Sequence, residues 1–246
     1  MVSRIRRWGG GAVALLIGVA ALVGTGPDQE PLQPAAQAAG YLSGVDVASY
    51  QGYPNWTSVK NSGRVFAFNK CTEGTGYVNP YYATNKSRIQ GVGMYHGPYH
   101  FGHPAYNATT QADFFVNNVG SYHGGFQLAL DLEVTDGLSA SAVWSWTQAF
   151  IARIKYRTGK PGIIYTGYYF WRDSVGNPNN NLNCPLWLAA YVSNPNSYVP
   201  QAWSSVGWAF WQYTSSGSVP GISGNVDLDY FKNGGSYPNI TALVIP

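Results

Sequence analysis

Apolar and polar positions along this chain fall into short runs with the two-residue period of half-buried strands. Eight such runs are strand candidates: "SGVDVASYQG", "RVFAFNKCTEG", "GMYHGPYHFGHP", "FQLALDLE", "PGIIYTG", "PLWLAAYV", "VGWAFWQYT" and "GNVDLDYF". Between the early runs lie segments with helical spacing. "NPYYATNKSRIQG" ends in Gly91, a helix stop, and "NATTQADFFVNNVG" offers Thr109 or Thr110 as a cap. "SASAVWSWTQAFIARIKYRTG" carries a Ser cap, apolar residues at Val143, Trp146, Phe150 and Ile154, and Gly159 as its stop. Strand followed by helix, repeated, predicts parallel strands covered by helices. The second half breaks this rhythm, because "GNPNNNLNCP" and "VSNPNSYVPQAW" leave no room for full helices. The expected fold is a single-domain α/β barrel of about eight strands, the first five with helices.

The N-terminus reads as an export signal. Arg4, Arg6 and Arg7 precede the apolar "GGGAVALLIGVAALVG", and "PAAQAAG" offers small-residue cleavage after Ala38 or Ala39. Residues 1–39 are therefore expected to be a secretory signal peptide and leader, and residues 40–246 one catalytic-sized domain. No later stretch is apolar enough to span a membrane. The leader holds three of the 14 basic and two of the 11 acidic residues, leaving 11 against nine, a net charge of +2. That balance, with no basic cluster, predicts neither a nucleic-acid nor a membrane partner for the exported form. Cys71 and Cys184 are the only cysteines. In parallel strands they would sit at opposite ends of the sheet, so two buried free thiols are expected.

Charge is scarce, which makes the placement of the acids informative. Asp131 and Glu133 stand two apart within "ALDLE", so in a strand both face one way, their Cα atoms roughly 6.6 Å apart. Asp46 lies in the first run, Glu73 follows the second, and Asp227 and Asp229 are in the last; Asp113, Asp136 and Asp173 fall in helices or loops. Six of nine acids thus map to strands or to the turns after them, where a parallel barrel builds its mouth. Paired carboxylates are the apparatus of glycoside hydrolysis, one protonated for the leaving oxygen and one ionised to stabilise positive charge on the sugar. Glu133 suits the acid and Asp131, deeper in the strand, the ionised role. The 19 Tyr and nine Trp would furnish both a large core and sugar-stacking surfaces.

Other chemistries fit less well. His96 and His100 stand roughly 13 Å apart in an extended run, too far for one ion, and no HExxH occurs, so no metal and no cofactor are expected. There is no GxSxG, and Cys71 has no evident His partner.

The order of "GVDVASYQG", "FAFNKCTEGTGYVNPYY", "GPYHFGHP", "ALDLE", "LWLAAY", "WAFWQYT" and "NVDLDYF" resembles the glycoside hydrolase family 25 lysozymes, the Chalaropsis-type N-acetylmuramidases. The resemblance runs from about Leu42 to Phe231. It implies an irregular TIM-like (β/α)5(β)3 barrel and hydrolysis of the β-1,4 bond between N-acetylmuramic acid and N-acetylglucosamine in peptidoglycan. Glu133 matches the family's general acid and Asp131 its partner, while Asp46 and Asp227 match the other two acids. "NKCTEG" stands where KATEG is usual, with Glu73 kept, and "GPYHFGHP" departs from the commoner GAYHFA pattern. Glu73, Tyr99, Tyr165, Trp187, Tyr191 and Gln212 are the expected groove residues. The Cα spacing fits both an inverting arrangement, with about 6.5–9.5 Å between carboxyls, and a retaining one at about 5–5.5 Å. A DxE strand end suits a third route, attack by the substrate's own acetamido oxygen oriented by Asp131. The expected partner is the peptidoglycan glycan strand, and the expected state a monomer outside the cell. A chitinase-like glycosidase and a non-catalytic wall-binding barrel are the competing readings; retention of all four acids speaks against the latter.

Overall fold

The computed structural model describes residues 40–246. The expected signal peptide and leader lie outside the described residues. Nine strands form one sheet: β1 (Tyr41–Val47), β2 (Phe66–Glu73), β3 (Tyr77–Val78), β4 (Tyr95–Phe101), β5 (Ala129–Asp131), β6 (Ile163–Gly167), β7 (Leu186–Ala189), β8 (Phe210–Gly217) and β9 (Val226–Lys232). The order β1-β9-β8-β7-β6-β5-β4-β2 closes on itself through the parallel β1–β2 pairing, while the two-residue β3 hangs on β2 as a hairpin. The result is an eight-stranded barrel from the nine-stranded sheet.

Seven barrel strands run parallel and β9 runs against both neighbours, Asp46 pairing with Asp227 and Gly44 with Asp229. Reversal brings the start of β9, not its end, to the mouth. The last residues return to the floor, where Phe126 pairs with Val244 and the Gly124 amide donates to Ile245.

The helical layer shrinks along the chain. Its members are α1 (Trp56–Asn61), α2 (Tyr82–Gly91), α3 (Ala108–Val119) and α4 (Ala140–Thr158), and the fifth connection holds only the π-type turn Phe170–Ser174. Ser139 caps α4 through the Ala142 amide, and Gly159 ends it at φ 74°. The cap of α3 is neither Thr109 nor Thr110 but Asn107, whose Oδ1 accepts from the Thr110 amide at 2.9 Å. The carbonyl oxygen reaches that third amide because Asn107 itself stays outside the helix.

Alternation divides the side chains. Leu128, Leu130 and Leu132 point outward to the helices with Phe115, Phe150 and Ile154. Phe66, Phe68, Phe126, Phe210 and Phe231 point inward and plug the barrel with Trp187, which stacks on Phe68 at 4.0 Å. Two glycines make room for this plug: a Cβ on Gly44 would lie 2.3 Å from the Phe66 ring, and one on Gly97 2.4 Å from Phe68. Cys71 and Cys184 are buried free thiols, as the strand directions required.

Candidate active site

Above the aromatic plug, the next inward positions are polar. Asp46 (β1), Tyr99 (β4), Asp131 (β5), Tyr165 (β6) and Gln212 (β8) are all buried at the carboxyl ends of the parallel strands, with Asp229 of β9 beneath them. Glu133 lies two residues past the end of β5 but keeps its alternation: Leu132 is buried in the outer layer, so Glu133 turns towards the mouth. It is open to solvent at the rim although densely surrounded on its inner side.

Hydrogen bonds order the floor. Gln212 Nε2 donates to Asp46 Oδ2 at 2.8 Å, and its Oε1 accepts from Tyr165 at 3.0 Å and Tyr191 at 2.8 Å. Trp187 Nε1 donates to Asp229 Oδ1 at 2.7 Å. Trp187 is fully buried, so the structure gives it no sugar-stacking face; it holds an acid in place from below. Tyr191 lies beyond the end of β7 and is exposed. Glu73 sits at the rim with Lys70 Nζ at 2.6 Å and His103 Nε2 at 3.2 Å.

So many acids in so little water hold protons tightly. Burial, then the charges of Asp227 and Asp229, pushes Asp46 well above the carboxylate range. Burial raises Asp227 to about 6 and Asp229 to about 8. Asp46 pairs with Asp227 across β1 and β9, and the three crowded carboxyls hold fewer than three charges between them. Across the mouth, burial and then Glu133 raise Asp131 well above its ordinary value, and burial raises Glu133. Lys70 is the cation that opposes both shifts.

Asp229, which the sequence places among the mouth acids without a site role, lies directly beneath the site. Its signal was the same one that exposed Asp131 and Glu133, since Asp227 and Asp229 also stand two apart in a strand. The other omissions are Lys70, His103 and Asp136. His96 and His100, by contrast, face the outer layer, where burial pushes them down to about 3 and about 4. Among the described residues no set of three or more His, Cys, Asp or Glu is arranged to hold a metal ion.

The family described as Glycosyl hydrolases family 25 matches residues 45–222. The chain belongs to that family. Within family 25, the match takes in Asp46, Glu73, Asp131, Glu133 and Gln212 and ends before Asp227 and Asp229. Lysozyme M1 of Streptomyces globisporus is 36% identical over 233 residues, covering 90% of this chain and 76% of its own. The N,O-diacetylmuramidase of Chalaropsis sp is 34% identical over 205 residues, 76% of this chain and 96% of its own. Among solved structures, a bacterial lysozyme from Streptomyces coelicolor superposes with a TM-score of 0.74 at 34% identity, over 82% of this chain and 94% of that one. The chain is thus a glycoside hydrolase, built on the barrel that its strand pattern announced.

Proposed function

We propose that this protein is an exported lysozyme that hydrolyses the β-1,4 bond between N-acetylmuramic acid and N-acetylglucosamine in peptidoglycan, with Glu133 as general acid and Asp131 orienting the substrate's acetamido group. The similarity to Lysozyme M1 and to the N,O-diacetylmuramidase supports the substrate class. One observation carries the mechanism: Oδ1 of Asp131 is buried at the mouth with no hydrogen-bond partner in the protein, two residues from Glu133. A lone buried acceptor beside a carboxylic acid fits an acetamido N–H that arrives with the sugar.

In the open site the pair's proton favours Asp131, the more deeply buried of the two. Substrate reverses that preference. Its N–H stabilises the ionised Asp131, and the sugar ring strips water from Glu133, so the proton passes to the rim where the leaving oxygen sits. Glu133 then protonates that oxygen as the C1–O bond breaks, and the acetamido oxygen attacks C1. Water opens the resulting ring, giving its proton to Glu133. Asp46, Asp227 and Asp229 flank this centre as further acids, while Tyr99, Tyr165, Tyr191, Gln212 and Glu73 shape the groove. Export rests on the basic and apolar N-terminal pattern, and action as a monomer on the single barrel.

The test is turbidity loss of purified bacterial walls, with mass spectrometry of the fragments, for the mature protein and for Glu133→Gln. Reducing N-acetylmuramic acid ends from the first and none from the second are expected. Reducing N-acetylglucosamine ends would move the specificity to the other linkage, and wall binding without release would replace the enzyme by a binding barrel.

A further inference from the structure

A chain of charged contacts crosses the mouth beside the acids. Lys70 Nζ meets Glu73 Oε2 at 2.6 Å, and Glu73 Oε1 meets His103 Nε2 at 3.2 Å. His103 Nδ1 meets Asp136 Oδ1 at 3.0 Å, and Asp136 Oδ2 accepts the Ala105 amide at 3.1 Å. Three successive parallel strands of the barrel thus contribute: β2 gives Lys70 and Glu73, the loop after β4 gives His103, and the loop after β5 gives Asp136.

Each end of this chain leads towards the Asp131–Glu133 pair. Lys70 is an inward residue of β2, its ammonium 4.8 Å from the centre of the Phe101 ring, and Phe101 is the register partner of Asp131. Asp136 stands three residues after Glu133, in the same loop. It adopts φ 48°, a left-handed conformation that few non-glycine residues take, directly before Gly137 at φ 81°. Such a backbone persists only where contacts hold it, and here His103 and the Ala105 amide hold the side chain. Both ring nitrogens of His103 face carboxylates. A neutral imidazole donates from one nitrogen, so both contacts are hydrogen bonds together only in the doubly protonated ring.

We propose that Lys70, clamped by the Glu73–His103–Asp136 chain, is a positioning residue for the reaction: its fixed ammonium holds the Asp131–Glu133 pair to a single negative charge, and the same clamp fixes the loop that carries Glu133. The proposal rests on the reading of Asp131 and Glu133 given above. The groups facing Lys70 are Glu73, Asp131, Glu133 and the rings of Tyr77 and Phe101; those facing His103 are Glu73, Asp136 and the rings of Phe101 and Tyr106, with His100 behind both on the outer side of β4. Lys70 is the only lysine or arginine among them. Without it burial and the charge of Glu133 would act on Asp131 unopposed, favouring its protonated form over the carboxylate that receives the acetamido N–H.

Lys70→Met and Lys70→Arg, compared with the wild type, test this through two readouts. The first is the carboxyl carbon shift of Glu133 and Asp131 followed by NMR against pH. The second is the pH profile of kcat/KM on wall fragments. In Lys70→Met the first midpoint of the pair is expected to rise by roughly 1 pH unit, with both limbs of the activity profile following it. Lys70→Arg keeps the charge and should restore the wild-type midpoint. Asp136→Ala, which frees His103, is expected to lower kcat while leaving KM unchanged. An unmoved midpoint in folded Lys70→Met, or a midpoint that moves equally in Lys70→Arg, would overturn the role of Lys70. A wild type that releases no muropeptides would instead sink the functional reading, which the NMR midpoints do not depend on.

Discussion

Gln212 bridges Asp46 to the far side of the barrel: its Nε2 donates to Asp46 Oδ2 at 2.8 Å while its Oε1 takes hydrogen bonds from Tyr165 and Tyr191. An amide is the side chain that can do both, donating to a carboxylate and accepting from two hydroxyls. Gln212→Glu keeps the acceptor and removes the donor, setting a fifth carboxyl against Asp46, Asp227, Asp229 and Glu133. Leaving a buried hydrogen-bond partner unsatisfied costs roughly 1–3 kcal/mol. For a chain of this size that is about 3–10 °C in Tm at pH 7. Acidification to pH 4 should recover most of it, and thermal melts across that range are the check.

Stability should peak on the acid side of neutrality. Asp227 at about 6 and Asp229 at about 8 lie above the unfolded value of about 3.9, so the native state binds more protons between those limits. Their contribution is complete below about pH 4 and is lost as pH rises through 6 and 8. His96 and His100, depressed to about 3 and about 4, act the other way, losing stability as pH falls below about 6.5. Tm is therefore expected to be highest near pH 6 and to decline towards pH 8. Asp229→Asn can still accept from Trp187 and should raise Tm at pH 8 by roughly 4–8 °C, with little change at pH 5. An equal gain at both values would count against a buried charge as the cause.

Asp131→Asn separates orientation from acidity. The amide has the size of the carboxylate but cannot take up the developing positive charge, so kcat should fall by roughly 10²–10⁴ with KM little changed. Steady-state kinetics on soluble wall fragments would show it. A rise in KM alone would make Asp131 a binding group only.

The thiols should be inert in the folded state. Burial pushes Cys71 to about 12 and Cys184 higher still, so neither supplies thiolate at neutral pH. Iodoacetamide at pH 8 is expected to label neither until the protein unfolds, which mass spectrometry reads directly. Labelling of native Cys71 would show that the outer layer around α2 opens.

Asn107→Ala removes the cap of α3 and should cost about 1 kcal/mol, or 2–4 °C in Tm. Thr109→Ala and Thr110→Ala each remove one exposed hydroxyl that donates to Asn107 Oδ1 but leave the Thr110 amide bond in place, so each should cost less.

The strands were legible because period-two alternation survives in every long run, from Val45 and Val47 facing α1 to Leu128, Leu130 and Leu132 facing α3 and α4. The inward acids followed from the same period. What the pattern could not supply was depth. Trp187 and Tyr191 share a face in sequence, yet one is buried beneath the acids and the other stands exposed past the end of β7. Nor does local sequence contain the clamp on Lys70: His103 and Asp136 come from separate loops and meet only once the barrel closes. Asn107 was missed for a different reason, because its cap depends on which residue leaves the helix first, a choice that Asn107, Thr109 and Thr110, all able to cap, leave open.

Strand β9 runs against its neighbours, and the segment after it folds back under the floor, where Val244 joins Phe126. Gly40 enters β1 from that same end. Both ends of the barrel therefore leave it on the side away from the carboxylates. Anything fused or tethered at either end, whether a wall-anchoring module, an affinity tag or a solid support, would hold the enzyme by its base and leave the mouth free to travel along a polymer.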